Sequence, residues 1–237
     1  MGTNSTATAS IPTFGGAYLD ESRVNEAGGI VSEFSGTYDV LATKWDEWSA
    51  QIVPDVREEW ARKLDAFLTA GERVVELGCG TGAPVGRLLS ERYEYSGVDA
   101  SAGMLAKARE TLSRAQLTCA DMHTLQFSPG SLGAVVAFSS ISHTPREKHA
   151  ALFNSIASWL RPGGVFVGNL HYVDDPDDFV ADWLGGGPMR WSGFDGATNL
   201  GLLASAGLRV VESEPIVQIE PDGSRICPMW FISLREG

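Results

Sequence analysis

Apolar residues along this 237-residue chain fall into two kinds of block, and between residues 54 and 173 the two kinds alternate. Residues 54–70, PDVREEWARKLDAFLTA, place Val56, Trp60, Leu64, Phe67 and Leu68 at helical spacing, with Pro54 able to open the helix and Gly71 to close it. RVVEL (73–77) is a short buried-strand run, followed by a glycine loop and a helix through VGRLLSE (85–91). YEYSGVDA (93–100) predicts a second strand with a helix through GMLAKARETL (103–112), and LTCAD (117–121) a third strand. LGAVVAFSS (132–140) predicts a fourth strand, REKHAALFNSIASWL (146–160) a helix, and VFVGNLHYV (165–173) a fifth strand after the turn RPGG. Strands alternating with helices at this spacing require crossover connections, hence a parallel sheet covered on both faces.

The two ends depart from that rhythm. Residues 1–12 read as a polar tail; Gly2 and Thr6 meet the loose N-myristoylation pattern, but a plain tail explains them as well. Residues 13–50 mix glycines and aromatics and predict an N-terminal cap of one or two short helices. Residues 174–195 carry acids, glycines and tryptophans without a period, as expected of an insertion that builds a substrate pocket. A helix through NLGLLASAG (199–207) follows. LRVVESEPIVQIE (208–220) and ICPMWFISLRE (226–236) then flank the turn PDGS, which predicts an antiparallel hairpin at the sheet edge. Neither irregular segment has the apolar content for its own core, so residues 13–237 are expected to form one domain.

Composition narrows the function classes. Hydrophobic residues make up 43% of the chain, and no apolar run approaches the length of a membrane span. Eighteen basic against 30 acidic residues give a net charge of −12, without the Lys/Arg clusters that a nucleic-acid backbone demands. Cys79, Cys119 and Cys227 form neither a disulfide framework nor a zinc pattern, which suits a reducing cytoplasm, and the four histidines have no ligand spacing, so no metal is expected.

The chemistry concentrates in VVELGCGTGAP (74–84), a glycine-rich turn between a strand and its helix. Open α/β sheets bind ligands at such turns, at the carboxyl ends of their strands. Gly78-x-Gly80-x-x-Ala83 satisfies the dinucleotide fingerprint, and Asp99 closes the next strand where an acid would take ribose hydroxyls. NAD or FAD therefore competes as the ligand. Against it, Glu76 stands at the mouth of the loop, where a carboxylate would repel a pyrophosphate and attract an ammonium, and Gly82 adds a third glycine. S-adenosylmethionine (SAM) offers a ribose, an amino-acid end and a sulfonium cation.

VVELGCGTG, YSGVDAS, LTCADM, AVVAFSSISH and WLRPGGVFVGNL, in that order, resemble the motifs of class I SAM-dependent methyltransferases over roughly residues 36–235. The resemblance implies a Rossmann-like α/β fold: a seven-stranded, mostly parallel sheet with an antiparallel last strand and helices on both faces. It implies SAM as cofactor and S-adenosylhomocysteine as product. Glu76, Gly78, Cys79, Gly80 and Thr81 would line the methionine end. Asp99 would take the ribose, with Ala100 and Met104 alongside the adenosine. Ala120, Asp121 and Met122 would hold the adenine, and Phe138 and Ser139 would floor the sulfonium. Tyr38 matches an aromatic that closes over the methionine end, and Trp45 stands where many relatives carry a second tyrosine.

His143 and His171 follow the fourth and fifth strands and could each act as a base at neutral pH. Phe14, Tyr18, Trp183, Met189 and Trp191, with Phe194, offer apolar faces for an acceptor. The expectation is a cytoplasmic monomer or homodimer that methylates a small molecule, on oxygen first and on nitrogen or carbon otherwise. It engages neither nucleic acid nor membrane. A SAM-binding enzyme of the same fold that catalyses a non-methylating reaction such as cyclisation stays open, and an NAD-dependent oxidoreductase stands behind it.

Overall fold

The computed structural model describes Tyr18, Leu19 and residues 34–237. The chain runs through strand β1 (Tyr18–Leu19) and helices α1 (Ser35–Leu41), α2 (Trp45–Ser49) and α3 (Arg57–Arg62). It continues through β2 (Arg73–Leu77), α4 (Val85–Ser90), β3 (Glu94–Asp99), α5 (Ala102–Thr111), β4 (Gln116–Cys119), β5 (Leu125–Gln126) and β6 (Leu132–Ala137). After α6 (His149–Trp159) come β7 (Leu160–His171), β8 (Asp175–Val180), β9 (Met189–Gly193) and α7 (Gly196–Ser205). Strands β10 (Leu208–Pro215), β11 (Gln218–Ile219), β12 (Arg225–Ile226) and β13 (Pro228–Arg235) finish the chain.

Seven strands form one sheet in the order β10-β13-β7-β6-β2-β3-β4. The pairs from β7 to β4 are all parallel, and β13 is antiparallel to both of its neighbours. This is the Rossmann-like sheet with a reversed last strand that the family resemblance implied, and its antiparallel edge is the one the hairpin pattern predicted. The chain leaves β2 toward β3 and β4, then returns to β6 on the other side. The order therefore reverses beside β2, and a crevice opens at the carboxyl ends of β2 and β6.

Period-two alternation along the strands divides the core in two. Val75 and Leu77 of β2, Phe166 and Leu170 of β7 and Phe231 of β13 pack under α6 and α7. Val74, Val165, Val167, Trp230 and Ile232 face the opposite layer with Trp60, Leu64, Leu89 and Ala108. Trp60 and Trp230, each almost fully buried, meet with ring centroids 5.9 Å apart. Burial at this level contributes about 1.5–3 kcal/mol per large apolar side chain, which holds the sheet rigid beneath the crevice. Among the described residues no helix is long and apolar enough to cross a membrane.

Two expected elements take a different form. The helix over 54–70 begins only at Arg57, whose backbone N–H is accepted by Asp55 Oδ1, and tightens into a 3₁₀ turn at Lys63–Ala66. Pro54 lies outside it. Segment 174–195 is not irregular: β8 and β9 pair as an antiparallel hairpin, with Asp178 opposite Trp191 and Val180 opposite Met189. Within the expected N-terminal cap, α1 and α2 are helical. Residues 1–12, with the Gly2 and Thr6 pattern, lie outside the described residues.

Candidate active site

The glycine loop leaves β2 with Gly78, Gly80 and Gly82 all at positive φ. Two of these positions are also sterically closed. A Cβ on Gly78 would sit 2.2 Å from Cβ of Ser140, and one on Gly82 would sit 2.4 Å from Leu112 Cδ1. The first contact brings the loop after β2 against the loop after β6, and the second seats it on α5. Ser140 Oγ completes the first junction by donating to the carbonyl of Leu77 at 2.7 Å. Its neighbour Ser139 holds φ +51°, a left-handed conformation rare for serine. Asn169 of β7 stabilises that turn: its Oδ1 accepts Ser139 N–H at 2.6 Å, and its Nδ2 donates to Ser139 Oγ at 3.2 Å.

Two carboxylates flank the loop. Asp99 closes β3 and accepts from Gly80 N–H at 2.8 Å and Ser101 N–H at 2.9 Å, so it ties both loops together. Burial raises its pKa despite these donors. Glu76 is 5% exposed and accepts one hydrogen bond from side chains, from Tyr95 Oη at 2.6 Å. Burial dominates there, with Asp99 adding repulsion against the relief from Tyr95 and Arg57, and the carboxyl is pushed up to about 8. Among the described residues no cation forms an ion pair with this carboxyl.

Helices α1 and α2 roof the crevice. Asp39 Oδ1 accepts from Ser101 Oγ at 2.6 Å and Gly103 N–H at 2.7 Å, which places a carboxylate at the positive N-terminus of α5. Thr81 Oγ1 donates to Asp46 of α2. These bonds bring Tyr38, Trp45 and Trp48 over the loop. Trp183, from the β8–β9 connection, meets all three, with ring centroids 5.6–6.0 Å away. Trp191 packs on Trp183 at 5.4 Å and on His143 at 5.7 Å.

His143 lies in a 3₁₀ turn after β6 (Ile141–His143). Its Nδ1 faces the carbonyl oxygen of Arg190 at 3.3 Å and its Nε2 faces Tyr38 Oη at 2.8 Å. Burial lowers its pKa to about 4, so the ring is neutral at physiological pH. His171 is also lowered by burial, and its ring covers Gly193, where a Cβ would come within 2.4 Å of the His171 Cγ.

One cavity of about 840 Å³ gathers most of the residues singled out in the sequence: Tyr38, Trp45, Glu76, Gly78, Cys79, Gly80, Asp99, Ala100, Met104, Ala120, Asp121, Met122, Phe138, Ser139, His143, His171, Trp183 and Trp191. Thr81 stays behind the wall, bonded to Asp46. Met189 is fully buried in β9 and Phe194 packs under Arg146; neither reaches the cavity. Phe14 lies outside the described residues, and of Tyr18 only the backbone is described, paired with Gln126. Burial and the neighbouring acids Asp99 and Glu76 push the Cys79 thiol well above its ordinary value, which suits a packing residue rather than a nucleophile.

Sequence reading missed Trp48, Asn169 and Asp39. The repeat of tryptophan at i and i+3 in WDEW was a usable signal for Trp48. Nothing local marked Asn169 or Asp39.

Among the described residues the cavity lining carries nine Asp and Glu side chains against only Arg57 and Arg225. That balance opposes a pyrophosphate and favours a cationic ligand. A buried carboxyl, acids at or just beyond the ends of β3 and β4, and a glycine loop whose half-buried Gly78 and Gly80 line the cavity fit SAM.

Residues 74–164 match a family model described as a methyltransferase domain. The carboxy-S-adenosyl-L-methionine synthase of Chromohalobacter salexigens is 32% identical over 51% of this chain and 47% of its own length. The 27-O-demethylrifamycin SV methyltransferase of Amycolatopsis mediterranei is 28% identical over 58% of this chain and 53% of its own. The aligned part thus spans about half the length of these curated relatives. Among solved structures, an S-adenosylmethionine-dependent methyltransferase from Clostridium acetobutylicum superposes with a TM-score of 0.63 at 16% identity, covering 84% of this chain and 99% of the other. Sheet order, glycine loop, acidic crevice and family match agree: residues 74–164 form a methyltransferase domain, and the fold is that of the class I SAM-dependent methyltransferases.

Proposed function

We propose that this protein transfers a methyl group from SAM to a hydroxyl of a small-molecule acceptor with an apolar ring, in secondary metabolism. The observation that carries this reading is the cavity itself. It joins Glu76, Asp99 and Asp121 around the glycine loop to Trp183 and Trp191 of the β8–β9 hairpin, with neutral His143 packed against Trp191.

When bound, SAM supplies a methyl group already activated by its sulfonium. Glu76 holds the ammonium of the methionine end, against the backbone of Gly78, Cys79 and Gly80. Asp99 takes the ribose hydroxyls while still tethering Gly80 and Ser101. Asp121 holds the adenine amino group, with Ala100, Met104, Ala120 and Met122 along the nucleoside. Phe138 and Ser139 would floor the methionine end, and Tyr38, Trp45 and Trp48 would keep water from it. Trp183 and Trp191 orient the acceptor ring. That proximity supplies much of the rate, since in-line displacement depends on alignment. A hydroxyl must also lose its proton, and His143, neutral and held in one orientation by Arg190, provides the basic site. Every named wall comes from one chain, so a monomer suffices and a homodimer is compatible.

The test is incubation of the purified protein with methyl-labelled SAM and a panel of phenols and hydroxylated polycyclic compounds. Labelled ether and an equal quantity of S-adenosylhomocysteine are expected. Tight SAM binding without S-adenosylhomocysteine on any acceptor would replace this reading by a non-methylating one.

A further inference from the structure

We infer that Tyr38 takes the acceptor's proton directly and passes its own to His143, so that phenol and imidazole work as one relay. The inference rests on the hydroxyl-acceptor reading above and assigns to Tyr38 a chemical task beyond covering the cofactor.

The hydrogen bonds fix the direction. The Arg190 carbonyl can only accept, so His143 carries its hydrogen on Nδ1 and leaves the Nε2 lone pair bare. Tyr38 Oη, 2.8 Å from Nε2, must then be the donor. The basic nitrogen is thereby covered, and what His143 offers the cavity is the Tyr38 oxygen, which among the described residues makes no other hydrogen bond and so keeps lone pairs for an acceptor hydroxyl. Three successive residues set that oxygen in place. Thr37 Oγ1 donates to the Pro188 carbonyl of the β8–β9 hairpin at 2.7 Å, and Asp39 clamps the start of α5. Between them, Tyr38 stands edge-on to Trp45 at 5.4 Å, Trp183 at 5.7 Å and His143 at 5.4 Å.

The balance of the step is complete without another reactant. The acceptor oxygen forms the O–CH3 bond, and the S–CH3 electron pair returns to sulfur. The acceptor's proton moves to Tyr38 Oη while the Tyr38 proton moves to His143 Nε2. The positive charge lost from the sulfonium reappears on the imidazolium, so the site's total charge does not change. Burial, with Asp99 and Glu220 nearby, raises the Tyr38 pKa, so the phenol is excluded as a free phenolate and can only exchange one proton for another. A weak base is enough at the end of the relay, because an oxygen that has gained a methyl group holds its proton far less strongly than an alcohol does.

Tyr38→Phe keeps the ring and its packing and removes only the hydroxyl. With the first phenol of the panel that is methylated, this variant is expected to lose about 100-fold or more in kcat, the range of general-base assistance, with SAM affinity unchanged. Tyr38→Phe/His143→Gln is expected to be no slower than the worse single variant, as members of one unit are non-additive. Thiophenol, largely ionised near neutrality, needs no base, and Tyr38→Phe should methylate it at the wild-type rate. A wild-type kcat on phenols in Tyr38→Phe, multiplicative losses in the double variant, or equal losses on thiophenol would each overturn the relay. Nitrogen-15 spectra of histidine-labelled protein with S-adenosylhomocysteine give a readout independent of turnover. They should show His143 protonated on Nδ1, with an Nε2 resonance that shifts in Tyr38→Phe. The opposite tautomer, or an unmoved Nε2, would also overturn it. If no phenol is methylated, the hydroxyl-acceptor reading fails, and the nitrogen-15 result alone decides the Tyr38–His143 pairing.

Discussion

With Glu76 as the proposed partner of the SAM ammonium, SAM binding should depend on pH with a sign fixed by the surroundings of that carboxyl. In the free protein its carboxyl is pushed up to about 8, chiefly by burial, so at pH 7 only about one site in ten is ionised. The cation of SAM favours the ionised form and pulls the pKa down. Affinity should therefore rise with pH, since only the ionised fraction binds at full strength. That fraction is roughly 0.01 at pH 6, 0.1 at pH 7 and 0.5 at pH 8, which predicts about a tenfold gain between pH 6 and 7, or ~1.4 kcal/mol. The gain levels off near pH 8. Calorimetric titration with SAM at pH 6.0, 6.5, 7.0 and 7.5, in two buffers of different ionisation enthalpy, reads both affinity and proton release. Close to one proton should leave per SAM bound at pH 7. In Glu76→Gln both the slope and the release should vanish. A flat affinity between pH 6 and 7, or an unchanged slope in Glu76→Gln, would refute the reasoning. The same shift affects stability. A carboxyl whose pKa is raised by folding stabilises the native state at low pH, and this contribution is lost as pH climbs from about 4.5 to about 8. Glu76→Gln should therefore stabilise the ligand-free protein at pH 8, on the order of a few kcal/mol at most, while weakening SAM binding.

Asp99→Ala removes both the proposed ribose partner and the tethers to Gly80 and Ser101, so SAM affinity should fall by about 1–3 kcal/mol; an unchanged dissociation constant would remove Asp99 from the site. Gly78→Ala and Gly80→Ala separate steric closure from backbone strain. Both sit at positive φ, but a Cβ on Gly78 meets Ser140 at 2.2 Å while one on Gly80 finds nothing nearer than Trp45 at 3.7 Å. Thermal denaturation should show Gly80→Ala losing about 1–2 kcal/mol and Gly78→Ala clearly more, and equal losses would contradict the close approach. Trp183→Ala should raise KM for the acceptor at least tenfold while leaving the Kd for SAM within a few-fold, if the hairpin tryptophan orients the acceptor ring.

How much of this was legible beforehand depended on the range of the interaction involved. The strands β2, β6 and β7 were readable because each buries both faces along most of its length, so short apolar runs (Val74–Val75, Ala134–Ala137, Val165–Val167) identify them. The glycine loop was readable because backbone at positive φ admits few other residues, and Asp99 because its place at a strand end follows from spacing. The β8–β9 hairpin was not, since five of the six β8 residues are exposed and no apolar period arises. Met189 was misjudged for the reverse reason: an apolar residue in an irregular stretch can fill a core as readily as a pocket, and here it is wholly buried.

By itself the sequence determined the sheet, its reversed last strand, and the glycine and acid positions at the crevice, because these follow from local periodicity, backbone freedom and the order of elements. Only tertiary structure decided what the crevice can do. Tyr38 and His143 are 105 residues apart, and Asn169 supports Ser139 across 30. The raised carboxyl of Glu76 arises from layers of chain that no local pattern describes. Hydrogen bonds and desolvation act through space at a few ångströms, so residues far apart in the chain acquire their chemistry only when folding brings them together.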